Sequence, residues 1–149
     1  MISKRTGAEI ILNRQYIKDL SFENPKAPEI YTYRDIQPKM DVSIDINASK
    51  LQNEIFEVEN VINVTAKKDD EVLFVVELVY AGIFTIKNVA DELIQENLFI
   101  DCPTMIFPFE RRIIADVSRD ADLSPLLLDI IDFEQMYESK KHTLVSDKK

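Results

Sequence analysis

Glycine is almost missing from this 149-residue chain, which has two, Gly7 and Gly82. Walker-type and dinucleotide-binding loops need clustered glycines for a tight turn and a close backbone approach to phosphate, so both are excluded. Histidine and cysteine occur once each. His142 lies in a polar C-terminal run, which leaves a Ser-His-Asp or Cys-His arrangement without a well-placed base. One cysteine and one tail histidine also fall short of the usual zinc ligands, so no metal and no cofactor is expected. Cys102 has no second cysteine with which to form an intrachain disulfide, and no charged start, apolar run and small-residue cleavage site opens the chain, so a cytoplasmic location is expected. Apolar runs stay well short of the roughly 20 residues that span a bilayer, which predicts a soluble protein with no stable membrane insertion. Basic residues are outnumbered, 18 against 27 acids, and the net charge of -9 repels nucleic acid and anionic membranes. Enzymes built on carboxylates alone are left, but acids scattered over strand faces read as solvation, so no enzymatic activity is expected.

What the chain does have is apolar side chains in strand-like order. With 46% hydrophobic residues its length predicts one domain with a sizeable core. That domain is expected over 14–138, between a flexible segment at 1–13 and a flexible tail at 139–149. Arg14 to Glu23 places Tyr16, Leu20 and Phe22 on one parity and Gln15, Ile17, Asp19, Ser21 and Glu23 on the other, a half-buried strand with an acidic outer face. Asn24-Pro25-Lys26-Ala27-Pro28 ends it, since prolines cannot donate to a ladder, and the stretch through Gln37-Pro38 is predicted to be a long crossover loop carrying Ile30, Tyr31, Tyr33 and Ile36. Lys39 to Asn47 alternates cleanly, with Met40, Val42, Ile44 and Ile46 inward. Ile55 to Lys67 continues with Phe56, Val58, Ile62, Val64 and Ala66 inward, and a polar turn leads into the next strand.

That strand, from Leu73 to Ile86, is apolar on both parities. Phe74, Val76, Leu78 and Tyr80 share one face, while Leu73, Val75 and Val79 share the other with a single charge, Glu77. The second face needs a cover. Asp19, Glu23, Glu57 and Glu59 surround it, which reads either as a docking surface or as ordinary solvated acids beside edge or dimer packing; periodicity leaves both open. The loop aromatics are equally open, as a groove for extended apolar peptide or as a lid on the chain's own core.

After Val89 the period becomes helical. Leu93, Ile94, Leu98 and Phe99 mark a first segment that Cys102-Pro103 is expected to stop. Ile106, Phe109, Ile113 and Val117 mark a second over Thr104 to Arg119, with Pro108 tolerated in its first turns. A polar break over Asp120 to Pro125 and an extended apolar stretch over Leu126 to Ile131 precede a last helix with Asp132 as N-cap. Strands first and helices afterwards predict an α+β fold: a four-stranded antiparallel sheet with C-terminal helices packed on one face.

Four ordered stretches carry a family likeness: Gln15-Tyr16-Ile17-Lys18-Asp19-Leu20-Ser21-Phe22-Glu23-Asn24-Pro25, Ala81-Gly82-Ile83-Phe84-Thr85-Ile86, Cys102-Pro103-Thr104-Met105-Ile106-Phe107-Pro108-Phe109 and Val117-Ser118-Arg119. With Asp132-Phe133 following in order, the chain resembles the SecB protein-export chaperones of bacteria. The resemblance implies an ATP-independent holdase that binds unfolded precursor proteins and delivers them to the SecA motor, working as a homotetramer, a dimer of dimers. It implies SecA contacts at Asp19, Glu23, Val75 and Glu77. It implies peptide grooves between the crossover loop, the sheet and the helices, with Tyr31, Tyr33, Ile36, Met40, Val42 and Ile44 binding substrate, and it places Val76, Leu78 and Tyr80 at the oligomer interface, on the strand parity associated with subunit assembly. Ile36 departs from a usual tryptophan, and the basic tail with Lys140, Lys141, Lys148 and Lys149 departs from the family's acidic or neutral one. Alternatives are a SecB-like chaperone dedicated to one client such as an antitoxin, and a non-catalytic adaptor or structural subunit.

Overall fold

The computed structural model describes residues 1–34 and 37–147, with side chains through residue 140. Four strands, β1 (Glu9–Glu23), β2 (Lys39–Gln52), β3 (Ile55–Lys68) and β4 (Glu71–Lys87), form one antiparallel sheet in the order β1-β4-β3-β2. Connections explain the order. Two-residue turns join β2 to β3 and β3 to β4, with Glu54 (φ 66°) and Asp69 (φ 56°) supplying left-handed backbone, while the crossover loop carries the chain from one sheet edge to the other. One register row, Leu20–Leu78–Ile62–Ile44, runs across all four strands on the inner face.

Helices follow as expected, but without the predicted interruption. A 3-10 turn (Asp91–Leu93), α1 (Ile94–Glu96) and a π turn (Asn97–Asp101) run directly into α2 (Cys102–Asp120). Cys102-Pro103 therefore does not stop the helix: the Cys102 N–H reaches back to Asn97 O, five residues earlier, and Pro103 enters at the start of α2. Pro108 consequently stands inside α2 rather than in its first turns, on the exposed side. An extended strap over 121–132 leads to α3 (Phe133–Asp147), where Asp132 Oδ1 accepts from the Gln135 N–H at 3.1 Å as the predicted N-cap. α2 packs on β3 and β4, burying Ile106, Ile113 and Ile114 with Phe56, Val58, Leu78 and Phe84. Among the described residues no helix is long and apolar enough to cross a membrane.

Both expected flexible ends carry structure. Residues 1–8 form a hook in which Ser3 and Ala8 are buried and Ile2 bridges to Glu9, and β1 begins at Glu9 rather than at 14. Ser3 Oγ donates to Asp101 Oδ2 (3.0 Å), Asn97 Nδ2 donates to Thr6 Oγ1 (2.9 Å), and Arg5 pairs with Glu134 (2.8 Å). At the other end α3 continues to Asp147, and residues 148 and 149 lie outside the described ones.

Two bulges correct the predicted parities. Lys18 is an extra residue between Ile17, which faces Tyr80, and Asp19, which faces Val79, so Tyr16 lies on the outer face and Ile17 on the inner one. A second register shift between Ala66 and Lys67 leaves Leu73 unpaired between Val72 and Phe74. Leu73 thereby turns into the core, fully buried, instead of joining Val75 and Val79 outside.

Gly82 lies between β1 and β3 in the middle of the sheet, where an added Cβ would meet Phe84 Cε2 at 2.7 Å and Leu12 Cδ1 at 3.1 Å. Gly82→Ala should therefore destabilise the fold by roughly 1–3 kcal/mol through displacement of the Phe84 ring, read as a lowered urea midpoint at unchanged slope.

Candidate functional site

The outer face of the sheet holds two acidic groups with different partners. On β1, Glu23 is opposite Val75, Ser21 opposite Glu77 and Asp19 opposite Val79, so all four residues expected at a docking surface meet at one corner. Asp19, Glu23 and Glu77 are exposed, Val75 is half-buried, and none of the three acids makes an ion pair among the described residues. Glu57 and Glu59 on β3 share this face and are neutralised. The Lys18 bulge brings its ammonium to Glu59 and to Glu57 (3.0 Å), and the Tyr16 hydroxyl donates to Glu57. The bonds from Tyr16 and Lys18 hold the Glu57 carboxyl below its ordinary range, while burial and the neighbouring Glu57 push the Tyr16 phenol up to about 12.

The other candidate is a cleft of about 490 Å³ between the crossover loop, the sheet and the strap. Tyr31, Tyr33 and Met40 line one side, and residues 122–127 form the opposite wall. Leu73 and Phe74 contribute to its lining, Leu73 through the bulge that sequence parity hides. The Tyr31 hydroxyl donates to Ala121 O and accepts from Asn24 Nδ2 (2.9 Å), tying the loop to the end of α2. Val42 and Ile44 continue the inner face of β2 beyond the cleft lining, Val42 being 47% exposed. Ile36 lies outside the described residues.

A second cleft of about 500 Å³ was not predicted; it lies between α2 and the strap, lined by Phe107, Pro108, Arg111 and Ile131 among others. Leu127 borders both clefts, and Ile130 is 85% exposed at the second. The available signal was the run Leu126 to Ile131, apolar without a helical or strand period.

Val76, Leu78 and Tyr80 are core residues, fully buried or nearly so beneath α2, and none is exposed on the single chain for a subunit contact. Cys102 is fully buried, and burial together with Asp101 raises its thiol far from reactivity. Among the described residues no group of three His, Cys, Asp or Glu side chains converges on a metal position.

The model of the family described as SecB, preprotein translocase subunit SecB, matches residues 3–143. The chain belongs to the SecB family. Relatives include the protein-export protein SecB of Mesorhizobium japonicum, 46% identical over 91% of this chain and 82% of that one. The Rickettsia bellii protein of the same name is 48% identical over 88% and 87%. Among solved structures, the SecB-like chaperone of Mycobacterium tuberculosis, in complex with a ChAD peptide from the HigA1 antitoxin, superposes with a TM-score of 0.69. That match covers 82% of this chain and 90% of the other at 12% identity, a likeness of fold.

Tyr16→Phe isolates the neutralised acids. It should cost about 1 kcal/mol, a hydrogen bond to a charged acceptor weakened by partial exposure. Because the Glu57 carboxyl is lowered in the fold, this stabilisation is present above the ordinary carboxylate range and is lost as pH falls through the lowered value. The gap between wild type and variant in denaturation midpoint should accordingly close in acid.

Proposed function

We propose that this protein is an ATP-independent holdase of the cytoplasm that binds unfolded precursor proteins and hands them to the SecA motor for export. The observation that carries this reading is the SecB family match across residues 3–143, together with relatives named for protein export at 46–48% identity. Holding an unfolded chain needs apolar surface with loose shape demands and no bond-making chemistry. The cleft between Tyr31, Tyr33, Met40 and the strap supports that role, with Val42 and Ile44 extending the apolar path along β2. Ile36 belongs to the same proposed client surface by its position in the crossover loop.

Asp19, Glu23, Val75 and Glu77 form the proposed SecA contact. Their support is geometric and electrostatic: they share one corner, and among the described residues the acids carry no intramolecular cation that a partner would have to displace. A homotetramer, built as a dimer of dimers, is proposed for the assembled state. The free edge of β1 supports it, because Ile17 (48% exposed) and Leu20 present apolar side chains that α2 does not cover. In this reading Val76, Leu78 and Tyr80 act on assembly from inside, by anchoring in the core the strand β4 to which the edge strand β1 is paired.

Purified protein without nucleotide should suppress aggregation of several unrelated denatured precursors, and added SecA should bind the loaded complex. Binding of a single client, with no effect on the others, would replace the export reading by a dedicated one, and a monomer in light scattering at micromolar concentration would remove the tetramer. Glu77→Lys should weaken SecA binding about tenfold or more and leave aggregation suppression intact. Val42→Asp and Tyr33→Ser should do the reverse, lowering client affinity while SecA still binds the empty chaperone.

A further inference from the structure

Among the described residues, two fully buried polar side chains meet between α2 and the sheet. Asn60, in the middle of β3, and Glu110, on α2, are both 0% exposed. Asn60 Nδ2 donates to Glu110 Oε1 and to Pro103 O at 3.3 Å. Each side chain then keeps one buried oxygen without a partner, Asn60 Oδ1 and Glu110 Oε2. Two acceptors cannot satisfy one another, and an orphaned buried acceptor is costly. A proton on Oε2 would supply the missing donor, because a carboxylic acid can donate to an amide oxygen while accepting from the same amide's nitrogen.

We propose that Glu110 is held as the neutral acid in a closed two-bond pair with Asn60, and that this pair is a proton-dependent latch seating α2 on the sheet. Its surroundings supply no alternative counter-charge. Tyr80 on β4 is in register with Asn60 and is itself uncharged; Arg112 on α2 is exposed and pairs with Asp116 (3.3 Å). Arg111 is turned to Leu128 O of the strap, and Asp101 of the π turn accepts from Ser3 and Asn97. No basic group pairs with Glu110 among the described residues. Burial, against the opposing effect of the Asn60 bond, pushes its carboxyl up to about 8. Since α2 walls one cleft and leads into the strap that walls the other, the latch fixes the frame of both.

A raised carboxyl gives stabilisation that is complete below its ordinary value and lost as pH rises through about 8. Glu110→Gln is the decisive variant, because the amide reproduces both bonds and has no proton to lose. Relative to this variant, the wild-type Tm should fall by several degrees between about pH 5 and about pH 9. Infrared spectra at neutral pH should show one buried carboxylic-acid carbonyl band in the wild type that is missing from Glu110→Gln. Identical pH profiles for the two proteins, or no such band in the wild type, would overturn the proposal. If the variant fails to fold, the wild-type band decides: its loss as pH is raised through about 8 supports the latch, and its absence at neutral pH sinks it.

Discussion

The arrangement depends on how much sheet one helix can cover. Four strands at about 4.8 Å spacing make a sheet about 19 Å wide, whereas a helix with its side chains is about 10 Å across and covers roughly two strands. α2 lies on the central pair, β3 and β4, and there burial is complete, as at Val58, Ile62, Val76 and Leu78. The same inner face on β1 and β2 stays partly open, at Ile17, Leu20, Met40 and Val42. Sequence periodicity alone would class these four with the core or against it by parity. Width decides otherwise: they are inner-face residues beyond the reach of the helix, and that shortfall leaves apolar surface exposed on the single chain.

A doubly apolar β4 follows from its place in the order β1-β4-β3-β2. A central strand has neighbours on both sides, so its outer side chains Val75, Val79 and Ile83 are half-covered by flanking residues even with nothing stacked above them. Ala81 is fully buried there, beneath the cluster formed by Tyr16, Lys18, Glu57 and Glu59. The second face thus needed less external cover than the parity suggested.

The elements that were legible in the sequence are those whose period is uninterrupted. β2 and β3 alternate without a slip through their cores, and the Asp132 cap announces α3. Parity failed where a single extra residue entered one strand, at Lys18 and at Leu73, because a period of two is inverted by an insertion of one. Nothing in residue identity marks either bulge. Pro103 misled for a related reason: a proline signals a missing donor, but a π turn shifts the bonding pattern by one residue and lets the helix pass through. The crossover-loop side of the cleft was legible from its aromatics, and the strap side was not, since an extended apolar run without period does not disclose what it packs on.

The same bulge that defeated the parity separates the two acidic groups on the outer face. Lys18, as the extra residue, can extend over Glu57 and Glu59 while Asp19 and Glu23 keep their register with β4. Without it, the outer face would carry a continuous field of carboxylates from β1 to β3, and a cationic partner would find no preferred corner. With it, Glu57 and Glu59 are already satisfied, and displacing Lys18 from them would cost a partner two charge-assisted bonds. Among the described residues no cation pairs with Asp19, Glu23 or Glu77, and Val75 is their apolar neighbour. For the SecA contact proposed at this corner, specificity would then come as much from the acids that are closed off as from those left open.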